Sequence, residues 1–301
     1  MIVSASRRTD IPAFYSTWFM NRIREGFCLV PNPFNPKQVS RISLAPDDVD
    51  CIVFWTRDPR PLLPHLAALD AGGYRYYFLF TLLHNPRAID PFSPSVNTSI
   101  DTFKRLSDRI GHRKVVWRYD PILLSTATEV PFHKQSFSFI AENLRGSTVR
   151  CIISLATLYR KLRRRLTCLE ENGIRVREPE DQEIAELMLY LAAAAKENEM
   201  EILSCAQERS LDAFGILPGK CVDDALIREV FGIEVSHRKD PSQRKPCGCV
   251  ESRDIGAYDT CMFGCVYCYA TSDFDKARAN YRAHDPEGAS LVRITNFQCP
   301  M

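Results

Sequence analysis

Apolar residues along this chain gather into short runs at 2–6, 49–56, 74–81, 114–119, 150–155 and 201–204, each predicting a β-strand. Several are apolar at consecutive positions, as in CIVFW at 51–55 and CIISL at 151–155. A strand covered on both faces of a parallel sheet has that pattern, whereas a half-exposed antiparallel strand alternates. The segments 13–25, 59–70, 99–110, 132–144, 157–171 and 180–198 carry apolar residues at helical spacing and are long enough to cross back over a sheet. Six βα units in order predict an α/β chain folded as a partial (β/α)6 TIM-like barrel, in preference to a doubly wound sheet. From residue 237 the sequence turns polar, basic and Pro-containing (HRKDPSQRKPCGC). That shift predicts a βα barrel domain at 1–236 and a cysteine-rich tail at 237–301 packed on the barrel mouth.

In a βα barrel the loops that follow the strands build the active face. The polar residues there are Arg7, Arg8 and Asp10 after the first run, Arg57 and Asp58 after the second, and Thr81 and His84 after the third. Arg118 and Asp120 follow the fourth, and Cys205, Gln207 and Glu208 the sixth. Arginines interleaved with carboxylates fit an anionic small-molecule substrate held by forked hydrogen bonds. Arg7, Arg8, Asp10, Arg118 and Asp120 are therefore the candidate catalytic residues. Each has a plainer reading: the Asp-Pro pairs at Asp58 and Asp120 suit helix caps, Pro121 suits a loop start, and His84 suits a hydrogen-bonded loop histidine.

Composition sharpens the chemistry at one place only. The chain holds twelve cysteines, seven of them between residues 205 and 268. No secretory leader or long apolar span is visible, so a cytoplasmic address is expected, where disulfides do not persist and clustered thiols serve metal or redox chemistry. Cys261, Cys265 and Cys268 form C-x3-C-x2-C, three thiolates able to hold three irons of a 4Fe–4S cluster and leave the fourth open. The alternative is a structural zinc ion completed by Cys247 or Cys249. Cys205, Cys221, Cys247 and Cys249 are enough thiols for a second centre, a further iron–sulfur cluster or zinc. Cys28, Cys51, Cys151, Cys168 and Cys299 read as structural.

Charge excludes little. With 39 basic against 37 acidic residues, the net field argues for neither a membrane surface nor nucleic acid. The basic run from Arg160 to Arg165 leaves Leu158, Leu162, Leu166 and Leu169 as an apolar stripe, which fits a solvated outer helix face better than a nucleic-acid surface. Asn97-Thr98-Ser99 has glycosylation spacing, without meaning in a cytoplasmic chain.

The segments SASRRTDIPAFYSTWF at 4–19, DCIVFWTRDP at 50–59, WRYDPILLS at 117–125, CIISL at 151–155, KDPSQRKPCGC at 239–249 and DIGAYDTCMFGCVYCYA at 254–270, with Cys205 and Cys221, resemble a bacterial family known as a domain of unknown function, number 1848. A second, local resemblance is to the radical S-adenosylmethionine superfamily, carried by Cys261, Cys265, Tyr267 and Cys268. It implies an oxygen-sensitive enzyme with a 4Fe–4S cluster, S-adenosylmethionine on the open iron with Tyr267 beside it, and an electron donor such as flavodoxin or ferredoxin. The order departs from that superfamily, whose cluster loop follows the first strand, and the second run lacks its Gly-Gly-Glu. Two rival readings accompany it: a non-radical barrel enzyme, using the metal as a Lewis acid or stabilised by zinc, and a redox-responsive ligand-binding protein.

Overall fold

The computed structural model of the protein describes residues 1–35 and 37–294. In chain order the strands are β1 (Ile2–Ala5), β2 (Phe27–Pro31), β3 (Val39–Ser43), β4 (Cys51–Thr56), β5 (Tyr76–Thr81), β6 (Val115–Ile122), β7 (Arg150–Leu155), β8 (Glu201–Ser204), β9 (Leu217–Pro218) and β10 (Arg253–Asp254). The helices are α1 (Ile11–Phe14), α2 (Ser16–Glu25), α3 (Leu66–Ala71), α4 (Val96–Ile110), α5 (Val130–Leu144), α6 (Arg163–Glu171), α7 (Asp181–Glu197), α8 (Asp224–Phe231) and α9 (Phe274–Arg282). Every predicted strand is present. The β2–β3 hairpin, β9, β10, α8 and α9 were not predicted.

The protein is α/β, with an eight-stranded parallel sheet and a separate antiparallel β2–β3 pair. Its two end strands, β9 and β10, each have one strand partner, so the sheet is not closed among the described residues. By packing, the chain divides into two compact units: the first takes residues 1–76, 252–262 and 270 onward, the second 77–251 and 263–269. The cysteine-rich tail is thus shared between them. No helix among the described residues is long and apolar enough to cross a membrane.

In the first unit the strand order is β10-β1-β4, all parallel, with Val3 opposite both Ile52 and Arg253. β4 is buried at every position, which accounts for its unbroken apolar run. The predicted helix at 13–25 is broken at Tyr15 into α1 and α2, and Gly26, in the left-handed region at φ 72°, ends it. Trp18 and Phe19 are fully buried, and the Phe19 ring meets Phe54 edge-on at 5.3 Å. Side chains of this size each contribute on the order of 2–3 kcal/mol through burial. The tail returns to this helix, with Trp18 donating to the Gly288 carbonyl and Asn21 to the Pro286 carbonyl, both at 2.9 Å. The helix predicted at 59–70 forms only from Leu66, because Pro59, Pro61 and Pro64 lack the amide that an earlier turn would need.

In the second unit the order is β5-β6-β7-β8-β9, again parallel. Helix rings cover the sheet: Phe80 stacks on Phe103 of α4 at 5.2 Å and Trp117 lies 4.7 Å from Phe137 of α5. Ser95 caps α4 through the Thr98 amide, and Glu180 with Glu183 forms a capping box on α7. β6 runs straight through Asp120-Pro121, where neither the helix cap nor the loop start expected from sequence forms. The β6–β7 ladder is irregular between Tyr119 and Ile122, as it must be where Pro121 has no amide to donate.

A glycine sets the approach of β9 to β8. A Cβ at Gly219 would stand 2.7 Å from the Leu203 Cβ, while the Gly219 amide donates to the Ser204 carbonyl at 2.7 Å. Gly219→Ala should therefore lower stability by about 1–3 kcal/mol, read as a reduced urea midpoint; an unchanged midpoint would show that the strands part freely.

Candidate functional site

In the first unit, the chain beyond β1 is organised around one carboxylate. Asp254 ends β10 and accepts hydrogen bonds from the Ser4 hydroxyl (3.0 Å), the Ser6 hydroxyl (2.7 Å), the Arg7 amide (2.8 Å) and the Gly256 amide (3.0 Å). A Cβ at Gly256 would fall 2.0 Å from the Ser6 Oγ, so only glycine permits this approach. The Arg7 guanidinium lies over the Trp55 ring at 5.2 Å and donates to the Ser252 hydroxyl at 3.2 Å. Arg8 lies over Tyr258 at 5.3 Å, with its Nε 3.8 Å from Asp254. Arg7 and Arg8 thus lie against aromatic faces beside this carboxylate, while Asp10 has other partners.

Asp10 is 6% exposed and accepts from the Ala13 amide at 3.0 Å and the Arg57 amide at 2.6 Å, tying α1 to the end of β4. Burial pushes its carboxyl up to about 7 against the lowering effect of those bonds and of the Thr56 hydroxyl. Asp58 is occupied by the Arg60 guanidinium through two bonds, at 2.7 and 2.6 Å, which is its local role in place of a helix cap.

Cys261 also belongs to the first unit, where the stem of the cysteine segment is closed by the Asp259 amide on the Ala270 carbonyl at 3.0 Å. The Asp259 carboxylate takes Ser272 and Lys276, and opposing influences leave it below the usual carboxylate range: burial raises it, while Lys276 and Ser272 lower it more in sum. Beside Cys261, the buried Tyr15 hydroxyl donates to the Thr260 carbonyl at 2.6 Å, and burial raises its pKa.

Cys265 and Cys268 belong to the second unit. The Cys268 amide donates to the Cys265 carbonyl at 3.1 Å, closing a turn. The Tyr267 hydroxyl donates to both oxygens of Asp90 at 2.8 Å, and the Val266 amide to the Ile89 carbonyl at 3.1 Å. Gly264, at φ 71°, packs so closely on Phe92 that a Cβ would stand 3.0 Å from the ring. From the first turn of α6, the Arg165 guanidinium reaches the Cys268 carbonyl at 3.0 Å and the Cys265 carbonyl at 3.4 Å. Both supports come from connections after β5 and β7, hence from the carboxyl ends of the strands, where α/β sheets place their sites. Arg165 corrects the reading of residues 160–165 as a wholly solvated face. Tyr267, expected beside a cofactor, has its hydroxyl engaged by Asp90.

At the same strand ends of this unit, Arg118 and Asp120 form an ion pair and Ser154 donates to Asp120. Next to them stands a group of thiols. The Cys205 and Cys221 sulfurs are 3.3 Å apart, Cys249 is hydrogen-bonded to both Cys221 and Cys247, and its sulfur accepts from the Val222 amide at 3.3 Å. The bond from Cys221 draws the Cys205 thiol down, helped by the Arg118 and Arg244 guanidiniums, and the same bond pushes Cys221 up. Cys247 is raised by its bond with Cys249 and by burial. Among the described residues, no three or more His, Cys, Asp or Glu side chains stand arranged as they are to hold a metal ion. Cys28, Cys51 and Cys151 are fully buried, whereas Cys168 is exposed and adds nothing to a core; Cys299 lies outside the described residues. His84 sits among rings, 6.3 Å from Phe132 and 6.2 Å from Phe139.

A family model described as Domain of unknown function (DUF1848) matches residues 2–270, which includes every strand of the parallel sheet and all seven clustered cysteines. The chain belongs to this family. No curated protein and no solved structure matches it.

Three positions of this DUF1848 chain that brace the candidate site escaped the sequence reading. Asp90 stands before Pro91 and so carries the same Asp-Pro signal as Asp58 and Asp120. Asp254 lies in the DIGAYDTC segment without any cue to its four partners, and Arg165 is hidden in a charge run. Two hollows on the second unit, one against α7 and β8 and one against α6, are lined by none of the candidate catalytic residues.

Tyr267→Phe deletes a bond to a buried carboxylate and should cost about 1–3 kcal/mol, with faster proteolysis of the 263–269 stretch; protection equal to wild type would place the segment's support elsewhere. Asp10 and His133 generate opposed pH dependences. Between its free value of 3.8 and its folded value of about 7, Asp10 is ionised more readily in the unfolded chain, so its contribution to stability falls as pH rises, by up to about 1.4 kcal/mol per pH unit. His133, buried between the Tyr119 hydroxyl and the Leu123 carbonyl, is pushed down to about 4, so its contribution is lost as pH falls from 6.5 toward 4. The two flatten the overall profile. Urea titrations of wild type and Asp10→Asn should show the variant gaining on wild type as pH rises to about 7 and running parallel above it; parallel behaviour throughout would exclude the shift.

Proposed function

We propose that this protein is an iron–sulfur enzyme of the radical S-adenosylmethionine type. Cys261, Cys265 and Cys268 would hold a 4Fe–4S cluster at the carboxyl ends of the strands of a partial (β/α)6 barrel. The observation that carries the reading is the hold on the Cys265–Cys268 turn, whose two cysteine carbonyls share one guanidinium and whose intervening tyrosine is fixed by a carboxylate. Such bracing is what a cluster loop needs, because thiolates must be presented without reorganisation and their charge offset by a nearby cation.

The residue types at these positions suit such a group, although their side chains are not gathered about one point as they stand. Three thiols at C-x3-C-x2-C spacing would leave one cluster position free of protein ligand. When bound, a reduced cluster of this kind supplies one electron to S-adenosylmethionine, cleaving a carbon–sulfur bond to give methionine and the 5′-deoxyadenosyl radical. Arg165 would offset thiolate charge at Cys265 and Cys268. Tyr267 and Asp90 would hold the turn in place. Arg7 and Arg8, set on aromatic faces, are the residues to bind an anionic substrate or the cofactor's carboxylate, and Arg118 with Asp120 would order the strand ends of their own unit. The electron would come from a carrier of flavodoxin or ferredoxin type.

Anaerobic reconstitution with iron and sulfide, followed by dithionite and S-adenosylmethionine, should give broad visible absorption and 5′-deoxyadenosine, both lost in Cys265→Ala. Arg165→Ala should keep the cysteines but lower cluster occupancy. A fully loaded, reduced cluster that leaves S-adenosylmethionine intact removes the radical assignment.

A further inference from the structure

The four thiols at 205, 221, 247 and 249 come from three separate stretches of the second unit, and each stretch is pinned by its backbone. The Cys205 amide donates to the Ile153 carbonyl at 2.8 Å, continuing the β7–β8 ladder past the strand end. The Cys221 carbonyl accepts from the buried Tyr77 hydroxyl at 2.5 Å. The Cys247 amide donates to the Arg244 carbonyl at 3.0 Å and the Cys249 carbonyl accepts from the Asp240 amide at 3.0 Å. Two glycines let the stretches approach: Gly219, against Leu203, and Gly248, where a Cβ would meet the Lys220 side chain at 3.3 Å.

We propose that Cys205, Cys221, Cys247 and Cys249 form a closed tetrathiolate zinc site, separate from the C-x3-C-x2-C motif and structural in role. The 3.3 Å between the Cys205 and Cys221 sulfurs is close to the edge of a ZnS4 tetrahedron, about 3.8 Å for bonds of about 2.3 Å. Thiolates on different irons of a cubane point to different corners and stand much farther apart, so the spacing selects a single ion. The side chains hydrogen-bond to one another without converging on a common point, so zinc binding would require them to reorient. Two features fit a charged tetrathiolate: the Val222 amide already donates to the Cys249 sulfur, and the Arg118 and Arg244 guanidiniums stand near Cys205. Four thiolates leave no open coordination position, so the ion would join the β8 end to the 219–222 and 247–249 stretches and take no part in chemistry.

The site does not depend on the radical reading, and the test separates the two. Metal analysis and X-ray absorption of the full chain, isolated anaerobically from cells supplied with zinc and iron, should give about one zinc per chain with four sulfur neighbours at about 2.3 Å. That zinc should persist in the Cys261→Ser, Cys265→Ser, Cys268→Ser triple variant and fall at least tenfold in Cys221→Ser, Cys249→Ser. Should the latter variant not fold, mercurial titration of the wild-type chain replaces it, with zinc release tracking modification of four thiols. Wild-type protein lacking zinc, zinc with nitrogen or oxygen neighbours, iron in its place, or zinc lost with the triple variant would each overturn the proposal.

Discussion

A strand covered on both faces can carry ionisable side chains only toward its ends or in pairs that neutralise each other. β4 and β5 are buried at every position, and a charge within them would cost several kcal/mol unless paired. The polar inventory is therefore displaced to the carboxyl ends, to Arg118, Asp120 and Ser154 in the second unit and to Arg7, Arg8 and Asp10 in the first. Where charge does sit close to the sheet it is neutralised at once, as Arg118 is by Asp120 and Asp254 is by amides, hydroxyls and Arg8. Concentration of chemistry at one edge is a consequence of covering the sheet.

The tail follows from the same constraint. Residues 237–294 hold no long apolar run and cannot form a core alone, so they are ordered by what they bond to. Part supplies β10 beside β1, part lies along α2 through Trp18 and Asn21, and part returns to the second unit as the 263–269 turn. Many of its anchors are single polar side chains meeting backbone groups, such as Tyr15 on Thr260 and Arg165 on Cys268, and others join side chains, such as Tyr267 on Asp90. Such bonds are individually worth about 1 kcal/mol, and they act together because each also fixes a neighbour.

How far the sequence was legible depends on the range of the forces involved. The parallel strands β1, β4, β5, β6, β7 and β8, and the crossover helices, were legible from hydrophobic spacing, since burial acts on each segment alone. β9 and β10 were not, because two-residue strands have no period and exist only where a neighbour offers an edge. The helix starts at Leu66 and Arg163 were missed by a few residues for local reasons, prolines in one case and a 3-10 turn in the other. Asp58, Asp90 and Asp120 share an Asp-Pro signature and have three different roles, holding Arg60, the Tyr267 hydroxyl, and Arg118 with Ser154.

From the sequence by itself came the α/β class, the order of the principal strands, the family, and the identity of the seven cysteines worth attention. Only the tertiary structure decided that Cys205 and Cys221 meet, that Arg165 turns inward to the cysteine turn, and that Asp254 organises the residues beyond β1. Residue type and spacing encode what a segment can bury or ligate. Which groups become neighbours across 16, 103 or 250 residues depends on how the sheet stacks its strand ends, and no local pattern records that.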